Sequence, residues 1–340
     1  MNNFKKVGLT ALAGSLAAVS ANAAEMSVSG ATLLTYTTED NTEVTGNPFG
    51  MKTNLSFTAS GDVNGMTVSY MQASKDQFAG MSSARLSIDM GDIGTLAYDQ
   101  GSGSGLATID DKTPTAAEEI WDGLDTDNTY GTGGLVGAAG NTGVFNYIKS
   151  FGGVTFNGAM RRGSGAANTD GSSSGANGGA WDFALTGSGD MIGVDGLSWG
   201  VGYGEVEAGQ QAVANTGMDH GDDVHMTGFV NYSMGPVTFG YQQSEISKGG
   251  AAPRLEQTEA FGIAFNVNEN FSVSYGERDV DFSNTAGTEA ITESGEGIAI
   301  AYTMGSMKIA GNRNEVSNNN NSTATSATDE MTEIAVSFAF

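Results

Sequence analysis

From about residue 54 onward the chain repeats one pattern: short segments in which apolar and small polar residues alternate with period two. Residues 54–60 set Leu55, Phe57 and Ala59 on one face. Residues 83–90 set Ala84, Leu86, Ile88 and Met90 against Ser83, Arg85, Ser87 and Asp89. Residues 196–204 set Leu197, Trp199, Val201 and Tyr203 against Ser198 and glycines. The same phasing recurs at Val154, Phe156 and Met160, at Val237, Phe239 and Tyr241, at Phe261, Ile263 and Phe265, and at Ile298, Ile300 and Tyr302. Such alternation is the signature of half-buried strands, and helical periodicity is almost absent.

The connections alternate too. Short turns lie at Gly61–Gly65, Gly91–Gly94, Gly152-Gly153, Gly187–Gly196, Met234-Gly235-Pro236, Val267–Asn270 and Met304-Gly305-Ser306. Between them fall polar stretches at 39–49, 76–80, 101–142, 163–178, 207–221, 249–255, 283–292 and 317–328. Seven turns and eight loops separate about sixteen strands, with both termini on the short-turn side. In hydrocarbon every backbone N–H and C=O needs a partner, and a closed sheet has no free edge. Strands of about 9–11 residues tilted near 45° cross a bilayer. A soluble sandwich would carry a charged exterior, whereas here the non-apolar face is mostly Gly, Ser, Thr and Asn. The expected fold is all-β: a transmembrane antiparallel barrel.

The ends agree. Lys5 and Lys6, the apolar run Val7–Val19 and the small-x-small site Ala21-Asn22-Ala23 read as a cleaved signal peptide spanning 1–23, leaving a barrel domain over 24–340. Its removal takes the formal net charge from −25 to −27, with 12 basic residues against 39 acidic ones. That charge repels phosphates and disfavours nucleic acid as a partner. With no cysteine, packing and hydrogen bonding must hold the exported domain together. The last strand presents Ile334, Val336, Phe338 and the terminal Phe340, and it resembles the C-terminal assembly signal of outer-membrane proteins. That resemblance implies the barrel-assembly machinery and periplasmic chaperones as partners, and outer-membrane lipid and lipopolysaccharide as surroundings.

The run Ala84-Arg85-Leu86-Ser87-Ile88-Asp89-Met90-Gly91-Asp92-Ile93-Gly94-Thr95-Leu96-Ala97-Tyr98-Asp99 is similar to the strand–tight-turn–strand preceding the third loop of alphaproteobacterial general porins. The likeness is architectural and covers nearly the whole mature chain. It implies a sixteen-stranded homotrimer whose third, longest loop, here 101–142, folds into the lumen and narrows it. Thr115–Trp121 carries a capping-box pattern, Thr115 with Glu118, that predicts a short helix. Asp110, Asp111, Glu118, Glu119 and Asp122 are the expected carboxylates of the constriction. Period-two phasing nominates Lys52, Arg85, Arg161, Arg278 and Lys308 as basic wall residues, with Lys75 and Arg162 weighed beside them. Opposed charges across a narrow pore act on polar solutes, and the acidic excess predicts mild cation selectivity.

No cofactor is expected beyond a structural calcium ion on the hard oxygens of Asp122, Asp125 and Asp127, whose spacing is not that of an EF-hand. The only histidines, His220 and His225, show no nucleophile partner, and no Gly-x-Ser-x-Gly or phosphate-binding loop occurs. A substrate-specific channel and a non-conducting structural or adhesive barrel stay open beside the passive pore.

Overall fold

The computed structural model describes residues 25–40, 45–74, 80–124, 135–140, 142–163, 178–207, 222–249, 254–284, 291–319 and 327–340. The signal-peptide reading, Lys75, Asp125, Asp127 and His220 lie outside them.

Sixteen strands run β1 (Glu25–Asp40), β2 (Phe49–Val63), β3 (Met66–Ser74), β4 (Met81–Asp89), β5 (Thr95–Gln100), β6 (Thr142–Phe151), β7 (Val154–Arg162) and β8 (Gly179–Ser188), then β9 (Leu197–Val206), β10 (Asp223–Met234), β11 (Val237–Lys248), β12 (Arg254–Asn266), β13 (Phe271–Asn284), β14 (Thr292–Met304), β15 (Met307–Ser317) and β16 (Asp329–Ala339). Each pairs antiparallel with its sequence neighbours, and β1 pairs with β16, so the sheet closes into a barrel. Reciprocal hydrogen bonds between Gly30 and Phe340, both 2.9 Å, finish the seam. Strand lengths run from 6 to 16 residues, a wider spread than expected: β1 and β2 are the longest, while β5 ends where the long loop turns inward.

The seven short connections fall on one rim. The first is tighter than the sequence suggested: β2 continues through Gly61 to Val63, and only Asn64 and Gly65 turn the chain, at φ 54° and 80°. Two successive left-handed residues make the hairpin turn that matches strand twist. No helix among the described residues is long and apolar enough to cross a membrane, so any crossing is made by the strands.

Burial is inverted relative to a water-soluble protein. Large apolar side chains such as Phe239, Phe261, Ile298, Ile300, Tyr302 and Phe338 stand exposed on the outer wall, while Asp99, Asn146, Glu256 and Asn314 are buried inside. Apolar-out, polar-in alternation is the arrangement of an outer-membrane barrel. One outer feature interrupts it. Glu277, Glu296, Glu315 and Glu330 are consecutive register partners across β13–β16, forming a transverse row of four carboxylates on the side toward the long loops.

Candidate channel constriction

The third long connection does not stand out from the rim. It enters the barrel and lies along the inner wall. Its stem is polar. Asp99 on β5 is fully buried and accepts hydrogen bonds from the Ser102 amide (3.1 Å) and the Ser104 hydroxyl (2.8 Å), with Arg85 on β4 at 3.8 Å. Arg85 also donates to the Gly103 carbonyl (3.2 Å) and to Asn146 on β6.

Next the chain reaches β7 and β8. Gly105, at φ 58°, donates its amide to Asn157 at 3.0 Å; a side chain there would run into the Asp182 carboxylate, so both conformation and space require glycine. Asp182 accepts the Leu106 amide at 3.0 Å through one oxygen and the Ala139 amide at 2.7 Å through the other. A single carboxylate on β8 thus holds both the outgoing and the returning arm. The return arm is pinned again where the Gly137 amide donates to His225 Nδ1 at 3.3 Å. Leu106 and Ile109 bury completely in a small apolar cluster with Val136, Ala184 and Ile246. Burying each such side chain contributes roughly 1.5–3 kcal/mol.

The loop then crosses β10 to β16. Gln242 donates to the carbonyls of Ile109 (2.8 Å) and Asp110 (3.1 Å) and accepts the Lys112 amide (2.7 Å). Asn231 donates to the Lys112 carbonyl at 2.7 Å. Pro114 rests over Gly240 and Gly262, and Ile120 over Gly276 and Gly297. Ser274 accepts the Ala116 amide at 2.8 Å. Asn314 donates to the carbonyls of Glu119 (3.0 Å) and Asp122 (2.9 Å), and Leu124 packs with Val316 and Met331.

These wall contacts explain why the helix expected over Thr115–Trp121 is absent. The Thr115 hydroxyl does bond locally, donating to the Glu118 carbonyl at 2.7 Å. The Ala116 amide and the Glu119 and Asp122 carbonyls, however, are taken by wall side chains, so the segment follows the wall through bends and a turn, closed from the Asp122 amide to the Glu119 carbonyl at 3.1 Å, instead of winding into a helix.

The basic residues nominated from phasing divide into two groups. Arg85 and Arg278 serve the loop's attachment. Arg278 on β13 is buried beneath the Trp121 ring, 4.9 Å from its centre, with Glu293 at 3.9 Å. Arg161 on β7 borders the return arm at Gly140, and Arg162 points outward and is exposed. Lys52 and Lys308 occupy the inner face of β2 and β15, and their charges act on Asp122 and Glu118 respectively.

Burial raises the pKa of all four shifted loop carboxylates. Asp111 is pushed up to about 7 by desolvation, with repulsion from Glu119 and Asp110 adding to it. Asp110 is raised by desolvation against the pull of Lys112. Glu118 and Asp122 are raised by desolvation and then by neighbouring carboxylates, with Lys308 and Lys52 pulling the other way. Asp122 is the described member of the calcium trio; among the described residues no three acidic, histidine or cysteine side chains converge as a metal site.

Following the register round from β16 identifies the wall opposite the loop. The inner positions of β1–β4 include Ser27, Ser29, Thr35 and Thr37, then Ser56, Thr58 and Ser60, then Ser69, Ser83 and Ser87. One flank of the lumen is therefore rich in hydroxyls, with Lys52 and Arg85 among them, and the other carries the acidic loop. Asp182, Gln242, Asn231, Ser274, Asn314 and the paired glycines were not singled out from sequence, and His225 was weighed there only for catalysis or metal binding. Their signal is the inward phase of long polar side chains among Gly, Ser and Thr.

No protein-family model matches the sequence, and no curated protein matches it either. Solved structures do match in shape. OmpT, an outer membrane protein of Vibrio cholerae solved in a trimer form, has a TM-score of 0.66 at 10% identity over 94% of this chain and all of that one. An anion-selective porin from Comamonas acidovorans gives 0.61 at 12% identity over 94% and 100%. The outer membrane channel DcaP of Acinetobacter baumannii gives 0.63 at 11% identity over 93% and 97%. The shared architecture is the sixteen-stranded barrel of Gram-negative outer-membrane porins and channels.

Proposed function

We propose that the chain forms a water-filled channel for passive diffusion of small hydrophilic solutes and ions across the outer membrane, with mild cation selectivity. One observation carries this reading: a long acidic loop lies inside the barrel, fastened to the wall from β7 to β16, against a hydroxyl-rich flank on β1–β4. A barrel of sixteen strands is wide enough to hold water, and a loop drawn inside it limits what passes. Asp110, Asp111, Glu118, Glu119 and Asp122 supply negative charge there, while Lys52 on the facing flank and Lys308 on the wall that carries the loop supply positive charge. The reading is non-enzymatic, places the chain in the general-porin type after export, and takes a homotrimer in lipid and lipopolysaccharide as the working assembly; a trimer form is on record for OmpT.

Single-channel recording in planar bilayers tests it. Ohmic conductance with a solute size cutoff, and a reversal potential under a KCl gradient that favours cations, are expected. Anion preference would sink the selectivity. Saturable block by one solute would replace diffusion with a specific channel, and absence of conductance would make the barrel structural.

A further inference from the structure

Gly240, Gly262, Gly276 and Gly297 form one transverse row, each the register partner of the next, across β11–β14 on the inner wall. None has the left-handed backbone that favours glycine. Their sheet conformation accepts any residue, and glycine inside a strand weakens it. At Gly262 and Gly276 the atoms nearest an added side chain belong to the loop; at Gly240 and Gly297 a wall amide crowds the position as well, Asn231 Oδ1 at 2.3 Å and Asn314 Oδ1 at 2.5 Å. A Cβ on Gly240 would lie 2.2 Å from Pro114 Cδ, and on Gly262 2.9 Å from the Pro114 carbonyl oxygen. On Gly276 it would lie 2.9 Å from Ile120 Cγ2, and on Gly297 3.0 Å from Ile120 Cβ. Two apolar residues six positions apart thus fill two adjacent glycine pairs.

We propose that this glycine row is a gauge: its depth sets how far the loop stands off the wall, and so sets the width of the channel. The inference rests on the diffusion-pore reading and names the residues that fix its size limit. The displacement has a direction. The wall behind the row is hydrogen-bonded on both sides of every strand and cannot recede, so an added methyl moves the loop toward the lumen. Interiors packed at crystal-like density transmit such a change instead of absorbing it.

The test uses Gly276→Ala and Gly262→Ala in the full barrel, with Gly311→Ala on the outer face as control, where the nearest atom to an added Cβ is 3.5 Å away. Folding is checked by heat-modifiable migration in detergent. Single-channel conductance of the two inner variants is expected to fall by roughly a third to a half, pore diameter being what limits passage, with the control unchanged. Adding Ile120→Ala to Gly276→Ala removes the Cγ2 methyl and restores conductance, which a general weakening of the barrel would not do. Loop position is read independently by iodide quenching of Trp121 after Trp181→Phe and Trp199→Phe, and quenching rises in Gly276→Ala. Folded inner variants with native conductance and native Trp121 quenching would overturn the gauge. A native barrel that conducts nothing removes the pore reading instead, and the quenching then decides the gauge alone.

Discussion

The guanidinium of Arg278 sits 4.9 Å from the centre of the Trp121 ring, so the inward apex of the loop is capped onto β13 by a cation–aromatic contact. Glu293 on β14 pairs with the same guanidinium at 3.9 Å. Trp121→Ala is expected to loosen the apex by about 0.5–2 kcal/mol, the range for such contacts when partly desolvated. Excess open-channel noise with unchanged barrel melting is the expected record. A quiet channel would mean that the ring contributes nothing to seating.

Asp182 supplies one carboxylate oxygen to each arm of the loop, at Leu106 and at Ala139. In Asp182→Asn one acceptor becomes a donor and faces a backbone N–H. The lost bond and the mismatched donor cost about 1–3 kcal/mol. Lys112 then reports the change, because its amide and carbonyl are both clamped by wall side chains in the native barrel. Tryptic cleavage after Lys112 is expected to speed up roughly tenfold, the equivalent of about 1.4 kcal/mol.

In the proposed channel, Asp111 is expected to make the constriction sensitive to pH near neutrality. Its carboxyl is pushed up from 3.8 to about 7, so the seated loop favours the protonated form. The stabilisation is complete below the ordinary carboxylate pKa, shrinks as the unseated form ionises, and is gone once pH passes about 7. The same ionisation adds a negative charge to the channel. The cation-to-anion permeability ratio is expected to rise between about pH 6 and about pH 8, more at low salt where charges are less screened. Asp111→Asn should flatten that step; a step that survives the substitution would assign it elsewhere.

The outer row of Glu277, Glu296, Glu315 and Glu330 sets like charges directly opposite one another. Such pairs destabilise a sheet by about 0.2–1 kcal/mol each. Glu315→Gln, between two other glutamates, is expected to raise the thermal midpoint of the detergent-folded barrel at neutral pH. The gain should vanish at a pH low enough to protonate the row. Conductance, set on the opposite face of the wall, should not change.

The barrel was legible because period two and the turn signals are local. Each short turn fixes the register of the pair it joins: Gly262 and Gly276 pair across the 267–270 turn, within one residue of equal distance from it, and Asn231 and Gly240 lie equally far from Gly235-Pro236. The long loops carry no such count, so nothing in the sequence aligns Gly240 with Gly262, or Gly276 with Gly297, and the row of four was hidden. Phasing put Lys52, Arg85, Arg161, Arg278 and Lys308 on one face, but it is blind to height along the strand and to what lies above each residue. Arg278 therefore looked like a free wall charge when the Trp121 ring covers it. The capping box at Thr115 failed for a related reason: local propensity was outweighed by β13 and β15 side chains distant in sequence.

The hydroxyl flank on β1–β4 bears on how an ion would make the passage. Serine and threonine oxygens are neutral acceptors of about the strength of water's own. A cation moving through the proposed channel can trade part of its hydration shell for wall hydroxyls on one side while carboxylates draw it from the other. No single point then binds it tightly. Transit becomes a series of small, nearly level exchanges, the condition under which an ion is attracted into a passage and still leaves it quickly.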